Sequence, residues 1–139
     1  MATAKVTETV NANADKVFAV LGDFGGLKLD LIEGVKLTGS GIGCLREVTL
    51  TSGARVVERL DNHDTNARTQ TYSIQNDDHP LPFKAYVATF VVTPTGANSC
   101  RVDWFSNFDV KSGTEAEAVK FAQGLYTGLI QGMTKQLAA

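Results

Sequence analysis

From Val35 onward the chain alternates apolar and polar residues, and one uninterrupted amphipathic helix then reads from Glu115 to Leu137. Nothing else in the sequence restricts the fold as much. Period two gives strands with one face turned to a core, and the helix carries a stripe able to cover that face. The stripe is Val119, Ala122, Leu125, Tyr126, Leu129, Met133 and Leu137, at i, i+3, i+4, i+7 spacing. Glycine recurs at every fourth position beside it, at Gly124, Gly128 and Gly132. Those glycines fit a helix backbone lying close to the sheet, or a bare helix surface facing a ligand. One helix laid across a large antiparallel sheet can cover it without filling the space beneath. An internal cavity is therefore the first functional expectation.

Upstream, Lys5 to Val10 reads as a short strand, and Asn13 can cap a helix from Ala14 to Leu21. Asp23-Phe24-Gly25-Gly26 breaks that helix, and Leu27 to Ile32 is expected to form a second short one. The expected strands after it are Val35–Thr38, Leu45–Thr51, Ala54–Leu60, Arg68–Ile74, Lys84–Thr93 and Arg101–Val110. Turn-rich connections at Gly39–Gly43, Ser52-Gly53, Asn62–Asn66, Asn76–Pro82 and Pro94–Asn98 make the set an antiparallel meander. The whole of 1–139 is expected to be one domain, long enough to bury its own core.

Charge removes several function classes. The net charge is −2 and the basic residues are scattered, whereas nucleic-acid binding needs a concentrated cationic footprint. Lys120, Gln123, Gln131 and Lys135 break any membrane span along the last helix, so stable membrane insertion is not expected. The first ten residues contain no apolar run of the secretory type. Cys44 and Cys100 lack metal-ligand spacing and read as buried free thiols of a cytoplasmic protein.

Several strings recur in a telling order: Asp23-Phe24-Gly25-Gly26-Leu27, Gly43-Cys44-Leu45-Arg46, Ser52-Gly53 followed by Val57-Glu58-Arg59-Leu60, and Tyr72-Ser73-Ile74. Leu81-Pro82-Phe83 leading to Tyr86, Trp104 with Phe108, and Gly124-Leu125-Tyr126 followed by Gly128-Leu129 complete the set. In this order they resemble the helix-grip superfamily called SRPBCC, which includes START domains and birch-pollen-allergen-like proteins. The resemblance is greatest to the bacterial polyketide cyclase/dehydrase and lipid transport group, and it covers nearly the whole chain. It implies an α+β fold: a seven-stranded curved antiparallel sheet wrapped around the C-terminal helix, with two short helices after the first strand. It also implies a hydrophobic small molecule bound between sheet and helix. That group carries a tryptophan and then a proline after the Phe-Gly-Gly-Leu string. Here Lys28-Leu29-Asp30-Leu31-Ile32-Glu33 has neither.

Arg46 shares a strand face with Val48 and Leu50, and Glu58 shares one with Val56 and Leu60. Both faces are expected to point inward. A two-residue turn at Ser52-Gly53 would instead pair Glu47 with Glu58, so the shared inward face requires an odd-length loop or a bulge. The pair reads either as a polar anchor for a ligand, with Glu58 as a candidate general base, or as an ion pair at the sheet rim. Tyr72, Tyr86, Trp104 and Phe108 share the parity of apolar neighbours and are expected to face inward, as cavity wall or as core. Tyr126, Leu125 and Leu129 face them from the helix. Glu58 and Tyr72 are the candidates for proton transfer. His63 is expected in a solvated Asn62-His63-Asp64 turn, and His79 in a loop at the cavity mouth.

No metal and no cofactor is expected, since no ligand cluster, nucleophile–base pair or phosphate-binding glycine loop is present. Three functions fit: a carrier of a hydrophobic or aromatic small molecule, a polyketide cyclase/dehydratase-type enzyme, or an interaction module with a filled core. An exposed edge strand would permit a homodimer.

Overall fold

The structure, a computed structural model, describes residues 1–138. The elements run β1 (Ala2–Val10), α1 (Ala14–Leu21), β2 (Ile32–Thr38), β3 (Leu45–Leu50), β4 (Arg55–Asp64), β5 (Thr69–Ile74), β6 (Phe83–Gly96), β7 (Ser99–Val110) and α2 (Glu115–Ala138). They form one antiparallel sheet ordered β1-β7-β6-β5-β4-β3-β2. From β2 to β7 each strand pairs with its sequence neighbour, as short turns require. Only β1 crosses, pairing Ala2 with Phe108 through Val10 with Cys100. The curved sheet holds α2, which is the helix-grip α+β architecture the sequence implied.

Each helix start is fixed by side chains that satisfy its free N–H groups. The Asn13 carboxamide oxygen accepts from the N–H groups of Asp15 and Lys16 at 3.0 and 3.2 Å. At α2, the Thr114 N–H donates to the Glu117 carboxylate at 2.8 Å, and the Glu117 N–H donates back to the Thr114 hydroxyl at 3.1 Å. That reciprocal pair is a capping box, encoded in the sequence as Thr114 followed three residues later by Glu117.

The buried face of α2 is Ala118, Ala122, Tyr126, Ile130 and Met133. It is rotated slightly from the expected stripe, leaving Val119, Leu125, Leu129 and Leu137 half-buried. Ala118 and Ala122 are fully buried, as is Ala4 on β1, and small residues on both elements allow helix and strand to approach closely. The aromatic centre comprises Phe83, Phe90, Phe108, Trp104 and Tyr126. Each such side chain contributes about 1.5–3 kcal/mol by leaving water.

Three expectations are corrected. The second short helix, Leu27 to Ile32, does not form: residues 25–31 run as an irregular strap and β2 begins at Ile32. A helix would turn Leu29 roughly 200° away from Leu27 and Leu31, whereas the strap points all three leucines at the same interior space. Secondly, Asn62-His63-Asp64 is strand, because a bulge between Leu60 and Asn62 lets β4 continue to Asp64. Thirdly, the glycine row of α2 does not sit against the sheet. A Cβ on Gly128 would lie 3.1 Å from Leu29 Cδ2, and one on Gly132 would lie 3.8 Å from the Lys28 carbonyl. A Cβ on Gly124 would meet nothing. Gly128 and Gly132 face the strap, and Gly124 faces open space.

Candidate functional site

The hairpin of β3 and β4 sets the centre of the site. Its loop is Thr51-Ser52-Gly53: the Leu50 N–H donates to the Ala54 carbonyl at 2.8 Å, and the Gly53 N–H returns to the Leu50 carbonyl at 2.8 Å. Gly53, at φ +89°, takes the left-handed position that such a three-residue loop needs. Three is odd, so Arg46 falls directly opposite Glu58 and Val48 opposite Val56. The side chains point inward, with Arg46 3% and Glu58 8% exposed, so the pair is interior and not at the sheet rim.

Arg46 is held on several sides. Its Nε donates to Glu58 Oε1 at 2.7 Å and its Nη1 to the Phe24 carbonyl at 3.2 Å. The guanidinium carbon lies 4.0 Å from the Phe24 ring centre and 5.0 Å from that of Tyr72. Two aromatic faces and two oxygens thus replace the water the cation gives up. Glu58 Oε2 has no protein donor among the described residues, and Glu58 lines the cavity.

A hydroxyl network lies beyond the ion pair. The Trp104 indole N–H donates to the Tyr72 hydroxyl at 3.2 Å. Tyr86 and Tyr126 share a hydrogen bond of 2.5 Å, and the Tyr126 hydroxyl donates to Ser106 Oγ at 2.6 Å. A bulge in β6 between Lys84 and Val87, with Ala85 at φ +52°, lets both Phe83 and Tyr86 face inward though three residues apart. Burial pushes the Tyr126 phenol up to about 12, and raises Tyr72 and Tyr86 well above the ordinary tyrosine value. All three are therefore neutral at physiological pH. They can orient a ligand by hydrogen bonds but cannot act as resting bases.

These groups border an interior space of about 60 Å3 between the sheet, α2 and the strap. Of the residues expected from sequence, Arg46, Glu58, Tyr72, Tyr86, Leu125, Tyr126 and Leu129 come together there. Trp104 and Phe108 lie behind that wall. Trp104 stacks on Tyr126 with ring centres 5.3 Å apart and borders a smaller recess, while Phe108 packs edge-on against Phe83 at 4.6 Å. Sequence reasoning missed Leu27, Leu29 and Leu31, which close the space from the strap, and Ser106, which shares the strand parity of Trp104 and Phe108.

Neither histidine enters the cavity. His63 packs at a tilt against Phe18, with ring centres 5.1 Å apart, and bonds Gln70 Oε1 through Nδ1 at 2.7 Å. His79 is 3% exposed, and its Nδ1 accepts the Leu81 N–H at 3.1 Å. Leu81 does line the cavity, so the His79 loop borders it as expected. Lys111 clamps that loop by donating to the carbonyls of Asp77 and His79. Burial, then the nearby Lys111 ammonium, holds the His79 imidazole below its usual range. Among the described residues no three His, Cys, Asp or Glu side chains gather as a metal set, and no helix is long and apolar enough to cross a membrane.

Comparison with known proteins places this arrangement among relatives. The model of the family described as "Polyketide cyclase / dehydrase and lipid transport" matches residues 1–138. XoxI from Bacillus cereus is similar in structure, with 27% identity, TM-score 0.86, and coverage of 98% of this chain and 95% of that one. An uncharacterised protein from Bacillus thuringiensis is 26% identical at TM-score 0.87, covering 99% of this chain and 100% of its own. Norcoclaurine synthase from Thalictrum flavum, solved with dopamine and hydroxybenzaldehyde, shares the fold at 21% identity and TM-score 0.75, over 98% of this chain and 86% of that one. No curated protein matches the chain.

Proposed function

Because the chain belongs to the polyketide cyclase/dehydrase and lipid transport family, we propose that it binds a hydrophobic or aromatic small molecule, lipid-like or polyketide-like, between the sheet and α2. The observation that carries this reading is the Arg46–Glu58 pair, buried at the edge of a space otherwise walled by leucines and tyrosines. A buried ion pair is a weak stabiliser against apolar residues of the same volume, so its presence calls for another use. Anchoring the one polar end of an apolar ligand is such a use. The free Glu58 Oε2 accepts from a ligand hydroxyl, and the tyrosine hydroxyls orient the remainder.

The volume bears on this directly. Ligand sites occupy about 300–1,000 Å3, and 60 Å3 holds only a few waters. Taken alone, that size favours an interaction module with a filled core. Ligand binding requires the wall to yield, and its least fastened part is the strap.

A second reading, a cyclase/dehydratase-type enzyme, is favoured by one feature: Glu58 faces the cavity with an unoccupied carboxylate oxygen. With the tyrosines neutral, Glu58 is the group that would move a proton. Native mass spectrometry of the protein purified from its own host tests the leading reading. A bound small molecule is the expected result. Its absence, with the core remaining closed to added hydrophobic probes, overturns the proposal. Glu58→Gln then separates the two active readings: a carrier loses about tenfold in affinity, whereas an enzyme loses ~10²-fold or more in turnover.

A further inference from the structure

We propose that residues 25–31 form a hinged cover over the cavity, latched by Leu29 seated in the gap that Gly128 leaves on α2. This deepens the ligand-binding reading and rests on it for its use, though not for its mechanics.

The strap is tied to the body of the protein at its ends and hardly between them. At one end the Phe24 carbonyl accepts from Arg46 Nη1. At the other the Leu31 carbonyl accepts from the Thr51 N–H at 2.9 Å. At the first end the Gly26 N–H also donates to the Asp23 carbonyl at 3.0 Å, while the bond from Ile32 to Leu29 is local to the second. Between the two ties, apolar contact of Leu27 and Leu29 does the holding. Few hydrogen bonds and a small set of apolar contacts mark a segment whose opening costs much less than global unfolding.

The latch is specific. Leu29 Cδ2 would lie 3.1 Å from a Cβ at position 128, tighter than ordinary contact, so a side chain there would push the leucine back by a few tenths of an ångström. Gly132 passes the Lys28 carbonyl one turn further on. Gly25 and Gly26 lie at the hinge, where side chains would collide with Leu37 and Asp23. Outside the strap, a surface groove of about 640 Å3 between α2 and β2 leaves room for the outward movement. Two of the glycines that weaken α2 as a helix, Gly128 and Gly132, thus have a reason: they receive the cover.

The test uses the chain's one tryptophan, Trp104, which is 2% exposed and borders a recess shared with Gly26, Leu27 and Lys28 of the strap. Acrylamide quenching of Trp104 reports opening at that edge. Leu29→Ala is expected to raise the quenching constant severalfold, and Gly128→Ala to raise it by a smaller, measurable factor. Gly128→Ala places a better helix former in α2, so its thermal midpoint should hold or rise while the strap loosens, which separates local opening from general destabilisation. In the double variant, Gly128→Ala should add nothing to Leu29→Ala, because the side chain it displaces is gone. Unchanged quenching in both single variants overturns the proposal, as does an additive double variant. Uptake of N-phenylnaphthylamine in the same samples tests the ligand reading separately. Faster uptake in the loosened variants supports both. Raised quenching without uptake leaves the cover standing and removes the ligand reading.

Discussion

Removing Arg46 and Glu58 together should cost far less than removing either. The two charge centres are separated by roughly 4 Å, and at an effective dielectric near 20 their attraction is about 4 kcal/mol. Both side chains are nearly out of water, at 4% and 10% side-chain exposure, so solvent does little to screen that attraction. Arg46→Met leaves a carboxylate buried without its cation. Glu58→Met leaves a cation with only the Phe24 carbonyl and two ring faces. Each is expected to cost about 3–5 kcal/mol. Glu58→Gln keeps an oxygen for Arg46 Nε and exchanges a charged hydrogen bond for a neutral one, a loss of about 1–2 kcal/mol.

The double Arg46→Met/Glu58→Met variant replaces the pair with apolar side chains beside Val48, Val56 and Tyr72. Its stability should fall within about 1 kcal/mol of the original, giving a coupling of at least about 5 kcal/mol. Urea unfolding followed by Trp104 fluorescence measures all four proteins, with the midpoint shifting and the slope unchanged. A double variant that loses the sum of its singles would refute the reasoning, because the two side chains would then act independently. The same double variant should fold and fail to bind a ligand with a polar end.

The remaining expectations concern titration and caps. The three tyrosines, all buried, should show almost no phenolate absorbance at 295 nm at pH 10, where free tyrosine is about half ionised. Their folded values are raised, so this contribution to stability is full below about pH 10 and is lost as pH climbs toward 12. Ionisation should coincide with alkaline unfolding followed by circular dichroism, and phenolate appearing in a still-folded protein would contradict the assignment. His79 runs the other way. Its folded value is lowered, so the unfolded chain binds the proton more readily and stability is lost as pH falls below about 6.5. His79→Gln should flatten that part of the stability profile. Thr114→Ala removes one half of the capping box and should cost about 1 kcal/mol in urea unfolding.

The sheet was legible because its alternation is long and one-sided, and a one-residue slip would have turned every inward residue to solvent. The ion pair depended on a single parity. Ser52-Gly53 suggested a two-residue turn, and only the inclusion of Thr51 placed Arg46 opposite Glu58. The sequence could state the condition, an odd loop, without choosing it. His63 was misplaced because Asn62-His63-Asp64 has turn composition, and the bulge that carries β4 through it is a tertiary effect. Its tilted contact with Phe18 and bond to Gln70 join residues from α1, β4 and β5, and no local pattern encodes that meeting.

The strap and the glycine row were each ambiguous, and for the same reason. Leu27, Leu29 and Leu31 have strand spacing, but the run is too short to overrule the helical reading that Leu27 and Leu31 allow at i, i+4. Gly124, Gly128 and Gly132 lie on a helix whose apolar stripe was already assigned to the sheet. Each pattern makes sense only with the other in view. A leucine seated on a glycine closes the cavity to about 60 Å3, and the same leucine is the apolar surface that a ligand would displace and then contact. Closure and capacity therefore compete for one side chain. A larger residue at 128 should weaken closure without removing any wall that faces Arg46. A smaller residue at 29 should enlarge the space and loosen it together. If the two substitutions changed ligand affinity in the same proportion as they changed strap opening, the cover alone would set access, and the Arg46–Glu58 anchor would set only which ligand stays.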